Sequence, residues 1–180
     1  RPGTLIERRW LDRALAHAPG RRVLDLGCGA GRPLGQYLAE RRCRMSGVDA
    51  ADAMATLYAA TVPEAEAWHA DMRELDLGAR FDLLLAWDSL GHLPPEDQRA
   101  VFSVFAAHAA PRAALLFTSP HRAGVGARRM AGVPVYWAGI GAEETAAALA
   151  AAGFSLLVHA PAEAAAGGDD IWLARFTNAG

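Results

Sequence analysis

A chain of 180 residues, 52% of them hydrophobic, has enough apolar surface for one well-packed core and fits a single domain over residues 1–180. A formal net charge of -2 and a pI near 6.3 leave no basic surplus for gripping a phosphate backbone or anionic lipid, which argues against nucleic-acid and membrane partners. No apolar run approaches the roughly 20 residues that a bilayer span needs, and the first residues lack the pattern of a signal peptide, so the expected setting is the cytoplasm.

In chain order, helical spacing over residues 4–16 leads to an apolar strand at 23–26, which stops at Gly27, Gly29 and Gly31. A helix is expected at 32–41 and a second strand at 44–48 ending on Asp49. A helix at 51–60 follows, then a third strand at 66–70 running into Asp71. The fourth strand spans 81–87, and the next helix, 95–108, opens on Pro94-Pro95-Glu96-Asp97 with acids in its first turn. A fifth strand is expected at 113–119. Residues 120–141 then show no strong helix or strand pattern, and connections of that length are usually lids or binding loops. A helix at 142–152 precedes strands at 154–159 and 171–176. The short Ala- and Gly-rich stretch between those strands leaves no room for a crossover helix, so they should be antiparallel neighbours. Strand and helix alternate as in a parallel sheet covered on both faces. The expectation is a Rossmann-like three-layer α/β/α sandwich of seven strands, mostly parallel, with a terminal antiparallel hairpin.

The first strand-to-helix turn of such a sheet opens a crevice at the carboxyl ends of the strands, where ligands bind. Glycines there admit positive φ and let a ligand touch the backbone, and the start of the following helix offers unpaired N–H groups. Asp49 comes about 20 residues on, where a carboxylate can accept from both ribose hydroxyls. Asp71, at the end of the third strand, is placed to accept from an adenine amino group, with Met54 and Met72 on either side of the ring. Each acid has a plainer reading, Asp49 as a helix N-terminal acid and Asp71 as a turn residue. Asp25, Asp49 and Asp71 on successive strands make a joint coincidence harder to sustain.

These residues resemble the class I S-adenosylmethionine-dependent methyltransferases of small-molecule type. The likeness lies in Val23-Leu24-Asp25-Leu26-Gly27-Cys28-Gly29-Ala30-Gly31, in Gly47-Val48-Asp49, in Ala70-Asp71-Met72, and in the stretch FDLLLAWDSLGHL from Phe81 to Leu93. It implies the strand order 3-2-1-4-5-7-6, S-adenosylmethionine as cofactor and S-adenosylhomocysteine as product. It further implies that Asp25 orders the glycine turn, that the Gly27 backbone and the Trp87 carbonyl hold the methionine amino group, and that Asp49 binds ribose. Cys28, Ala50 and Ser89 complete the cofactor-binding set.

Two other classes remain open to the sequence. A nicotinamide-dependent oxidoreductase also uses a glycine turn and a downstream acid, but the third glycine of its motif would fall on Arg32. All 18 basic residues are Arg, so no lysine is present for a hydride-transfer pair, a P-loop or a Schiff base. A nucleoside-cofactor-binding module without catalysis is the second alternative. For a methyltransferase, the acceptor is expected to be a small organic molecule, since the Trp87-Asp88-Ser89-Leu90 run differs from the Asn-Pro-Pro-aromatic type of base-methylating enzymes. His92 and His121, just past the fourth and fifth strands, are candidate general bases. Tyr136 and Trp137, within the 120–141 lid, either wall the acceptor pocket or anchor the lid. No acid and Asn partners accompany Asp88, so no metal is expected, and Cys28 and Cys43 show no zinc-ligand spacing.

Overall fold

The computed structural model describes residues 5–177, so the expected helix start at Thr4 lies outside the described residues. In chain order the elements are α1 (Arg8–His17), β1 (Arg22–Leu26), α2 (Leu34–Ala39), β2 (Arg44–Asp49), α3 (Asp52–Thr61), β3 (Glu66–His69), β4 (Phe81–Ala86), α4 (Pro95–His108), β5 (Ala109–Ser119), β6 (Gly124–Met130), β7 (Val133–Gly139), α5 (Gly141–Ala151), β8 (Phe154–Ala160) and β9 (Asp170–Phe176). The main sheet has seven strands in the order β3-β2-β1-β4-β5-β9-β8. Its first five are parallel, while β9 pairs antiparallel with both β5 and β8. With the β6–β7 pair set aside, this is the order and the reversed ending that the sequence implied.

Alternation along the strands divides the core into two layers. Leu24, Leu26, Leu84 and Phe117 point to the face covered by α4 and α5, where they meet Phe102, Phe105 and Leu149. Phe117 lies flat on Trp172, ring centroids 5.8 Å apart, and Phe102 meets Phe117 edge-on at 5.3 Å. Val23, Leu83, Leu85 and Leu116 point the other way, onto Trp10 and Leu11 of α1, Leu38 of α2 and Tyr58 of α3. By the same alternation Asp25 shares the face of Val23, which puts a carboxyl in the layer beside Tyr58.

The first helix starts at Arg8, later than expected, and most other ends shift by a residue or two; three of the differing boundaries have a clear local cause or bear on the cleft. The helix after the glycine turn begins at Leu34 and not at Arg32, because a residue preceding proline is driven out of the helical region and Pro33 imposes this on Arg32. That helix is six residues long and brings no long helix dipole to the cleft. The fourth strand ends at Ala86, leaving Trp87 in the loop beyond it. The fifth strand begins at Ala109, because a bulge with Arg112 at φ 66° absorbs Pro111-Arg112 while Phe81 still pairs with Ala109.

The larger correction concerns residues 120–141, which are not an irregular loop. They carry an antiparallel hairpin, β6 paired with β7 from Gly124 opposite Gly139 to Met130 opposite Val133. Its two-residue connection is Ala131 at φ 49° and Gly132 at φ 83°, the double positive φ that matches the twist of paired strands. The signal was weak because β6 reads Gly-Val-Gly-Ala-Arg-Arg-Met and Pro134 interrupts β7.

Candidate functional site

The carboxyl ends of β1, β2 and β4 open onto a cleft of about 1070 Å³. Every residue predicted to hold the cofactor lines it: Asp25, Gly27, Cys28, Gly29, Gly31, Asp49, Ala50, Met54, Asp71, Met72, Trp87 and Ser89. His92 lines it too, along with residues no motif pointed to, among them Glu7, Arg73, Met130 and Val135.

The glycines of the first turn serve different ends. A Cβ on Gly27 would lie 2.4 Å from Ser89 Cβ, and one on Gly31 would lie 2.6 Å from Val62 Cγ2, so both keep protein out of protein. Gly29, at φ 54°, has nothing within 4 Å of that position, so its open side is cleft. The turn is fastened to β2, since the Gly27 and Cys28 amides donate to the Val48 carbonyl at 2.8 and 3.0 Å. The Gly29 amide donates to Asp49 Oδ2 and the Ala51 amide to Asp49 Oδ1, both at 2.9 Å. Asp49 is thereby fixed between the glycine turn and the start of α3, with a lone pair on each oxygen still free.

Beneath this lies Asp25, only 4% exposed. Burial pushes its carboxyl up to about 7, the charge of Asp49 adds to the rise, and the Tyr58 hydroxyl opposes it. Burial likewise pushes the Cys28 thiol up, with Asp25 and Asp49 contributing, so this cysteine is an inert wall and no nucleophile. Ser89 Oγ is buried, and among the described residues it has no hydrogen-bond partner, although Ser89 lines the cleft.

Asp71 has a partner within the protein as well as a place on the cleft wall. Its carboxylate is clasped by its neighbour Arg73, with Nε 3.0 Å from both oxygens, and Arg73 Nη1 also reaches Asp97 at 2.8 Å. The Arg73 hydrogen bonds hold the Asp71 carboxyl below its ordinary value despite partial burial. Any stabilisation from this pair is therefore present above the ordinary aspartate range and lost on acidification. Because the pair is exposed and screened by water, Arg73→Ala should leave the melting temperature essentially unchanged while Asp71 returns towards its ordinary pKa. Calorimetry and an NMR titration of the carboxyl check both halves.

The far end of the cleft is built on the turn after β4. Asp88, at φ 51°, donates its amide to Thr118 Oγ1 at 2.9 Å, which opens its side chain to solvent at the cleft mouth. The surrounding protein raises its carboxyl, and the nearby charge of Asp169 adds to this. His92 packs edge-on to Trp137 with centroids 5.0 Å apart, and a Cβ on Gly91 would lie 2.5 Å from the Trp137 ring. Arg128 sits 4.6 Å over the same ring and donates to Asp169 Oδ2 at 3.0 Å. Trp137 thus anchors the hairpin behind the His92 wall. Tyr136 cannot share that role, since adjacent strand residues point to opposite faces; it is 42% exposed and lies off the cleft, whereas Val135 faces in. Counting residues of one parity along β7 would have pointed to Val135 in the sequence.

His121 also lies off the cleft wall. Its Nδ1 donates to Asp170 Oδ1 at 2.7 Å, while His159 Nε2 donates to Asp170 Oδ2 at 2.8 Å. Burial alone would raise Asp170, but the Ala162 amide and these two imidazoles hold it below its ordinary value. Among the described residues no group of three or more His, Cys, Asp or Glu side chains is placed to hold a metal ion, and no helix is long and apolar enough to cross a membrane.

Comparison with known proteins bears on this site. Over 91 residues the chain is 33% identical to the dTDP-4-amino-2,3,4,6-tetradeoxy-D-glucose N,N-dimethyltransferase of Saccharopolyspora spinosa, a match covering 49% of this chain and 36% of that protein. It is 33% identical over 91 residues to the dTDP-3-amino-3,6-dideoxy-alpha-D-glucopyranose N,N-dimethyltransferase of Streptomyces fradiae, so the match spans about a third of either curated relative. Among solved structures, the S-adenosylmethionine-bound amino pentose methyltransferase CalS10 of Micromonospora echinaspora superposes with a TM-score of 0.77 at 22% identity, covering 98% of this chain and 93% of that one. The CcbJ methyltransferase of Streptomyces caelestis gives 0.76 at 17% identity, covering 97% of each chain. Both likenesses establish the shared fold. The profile of the methyltransferase-domain family matches residues 4–158, which takes in the glycine turn, the cleft acids Asp25, Asp49 and Asp71, and the hairpin, and by that match the chain belongs to the methyltransferase-domain family.

Proposed function

We propose that the cleft binds S-adenosylmethionine and that the protein transfers its methyl group to a small organic acceptor lying under the β6–β7 hairpin. The observation that carries this reading is the Gly29–Asp49 pair: an open glycine edge tied at 2.9 Å to a carboxylate with free lone pairs, as a nucleoside needs. Ser89 Oγ, buried and without a partner, adds a polar group that a ligand would satisfy. When bound, S-adenosylmethionine supplies a sulfonium methyl that is already activated.

The work left to the chain is holding, aligning and excluding water. Asp49 would accept from the ribose diol, Met54 and Met72 would flank the base, and Asp71, held by Arg73, would accept from its amino group. The Gly27 backbone and the Trp87 carbonyl face the amino-acid end. At the acceptor end His92 is the base that lines the cleft, where a neutral imidazole accepts a proton from an amine or hydroxyl. His121, bound to Asp170, is in second place. The hairpin covers the acceptor with Val135 and Met130, and the amino-sugar N,N-dimethyltransferases among the relatives favour an amine as the receiving group.

Free thiols at Cys28 and Cys43 suit a reducing cytoplasm. Calorimetric titration decides between the classes: S-adenosylhomocysteine should bind at one site and NAD should not. Binding of NAD alone would return the oxidoreductase reading, and S-adenosylhomocysteine binding without transfer to any screened amine or alcohol would leave a binding module.

A further inference from the structure

We propose that Tyr58 is a positioning residue of the cofactor cleft, its hydroxyl donating to Asp25 whenever that carboxyl ionises, as a bound cofactor makes it do. The proposal rests on the cofactor reading above.

Tyr58, on α3, is fully buried, and glycines from separate segments make room for its ring. A Cβ on Gly47 would lie 2.6 Å from its Cε1, one on Gly31 3.0 Å from its Cδ2, and one on Gly35 3.2 Å from its hydroxyl oxygen. Packing explains the ring, and a phenylalanine would fill the same space. The hydroxyl needs a separate reason, because it is buried and has no hydrogen-bond partner, an arrangement that costs free energy wherever it persists. It lies close enough to Asp25 to favour the ionised carboxyl, yet outside hydrogen-bonding geometry. The other groups facing Asp25 are the Asp49 carboxylate at the end of β2, the Cys28 thiol in the glycine turn and apolar Leu85 on β4. Among the described residues, Tyr58 is the hydroxyl near enough to that carboxyl to favour its ionised form.

The sign follows from burial. Without ligand the fold favours neutral Asp25, so the stability this carboxyl contributes is present below its ordinary range and is lost as pH rises through about 7. A cation in the cleft favours the ionised form, so binding releases a proton below that pH and strengthens as pH rises. A donor to the ionised form extends tight binding to lower pH.

The experiment is calorimetric titration of S-adenosylhomocysteine, whose ammonium is positive throughout, between pH 5.5 and 8.5 in two buffers of different ionisation enthalpy. Wild-type affinity should rise about tenfold per pH unit on the acid side, with proton release, and level off above neutrality. Tyr58→Phe should move the levelling point upward by about one unit, weaken binding up to tenfold near pH 7 and converge with wild type at the alkaline end. Its ligand-free melting temperature should be unchanged or higher. Asp25→Asn should flatten the profile, and adding Tyr58→Phe to it should change nothing further. A loss equal at every pH, or none, overturns the proposal, as does a wild-type profile without slope. If wild type binds no S-adenosylhomocysteine at any pH, the cofactor reading falls and takes this one with it.

Discussion

Asp49→Ala should weaken S-adenosylhomocysteine binding about 10- to 150-fold, the range given by losing a charge-assisted hydrogen bond of roughly 1.5–3 kcal/mol. The direct loss is the acceptor for the ribose hydroxyls. A second loss is built into the geometry, since the carboxylate also receives the Gly29 and Ala51 amides at 2.9 Å each. Without it the glycine turn keeps only its backbone bonds to Val48, and the open edge at Gly29 is held less firmly. The two effects separate on substitution. Asp49→Asn retains one carbonyl oxygen and should recover part of the affinity, whereas a purely structural role would show as a fall in melting temperature with unchanged binding to the folded fraction. Unchanged affinity in Asp49→Ala refutes the assignment.

Trp137→Ala should lower methyl transfer about 100-fold or more with cofactor affinity nearly intact, because displacing a reacting group by about 1 Å can cost that much. Trp137 fills the space left by Gly91, backs His92 at 5.0 Å and carries Arg128 on its other face at 4.6 Å. Removing it takes away the surface that orients His92 and the plane on which Arg128 rests before reaching Asp169. None of these groups belongs to the Gly29–Asp49 half of the cleft, so titration with S-adenosylhomocysteine serves as the control. Tyr136→Ala, on the outer face of the same strand, should be close to neutral in both assays. Equal effects at the two positions would mean that the hairpin acts by bulk alone, and a joint loss of cofactor binding and melting temperature would mean that Trp137 only holds the fold together.

The half of the cleft proposed to hold the cofactor was readable in the sequence as a place because it is made of strand ends, and strand ends are punctuated. Apolar runs stop on Gly27, on Asp49 and on Asp71, and each stop is a local signal that survives without knowledge of the fold. Even there, local reading missed partnership: nothing near Asp71 in the sequence announced that Arg73 would clasp it and reach Asp97, 24 residues further on. The half proposed for the acceptor was less legible because its geometry comes from long-range packing. The hairpin's glycines, paired arginines and proline hide its period of two, so Tyr136 and Trp137 read as equivalent when the pleat sets them on opposite faces. His121 read as a rim residue because it follows the fifth strand. Its Asp170 partner, 49 residues away, turns it aside.

The hairpin leaves the main sheet after Ser119 and returns at Gly141 without contributing a strand to it. Its attachments include Trp137 on Gly91 and His92, Arg128 on Asp169 and the Gly167 carbonyl, and the Gln98 side chain donating to the Ala138 carbonyl at 2.7 Å. On the proposed function, substrate choice would be carried on a cassette, plugged into a chassis whose main-sheet pairings do not include it. A transplanted hairpin of other length or lining, spliced between the same end points and keeping those attachments, should then leave S-adenosylhomocysteine binding unchanged while presenting a new ceiling to whatever molecule enters beneath it.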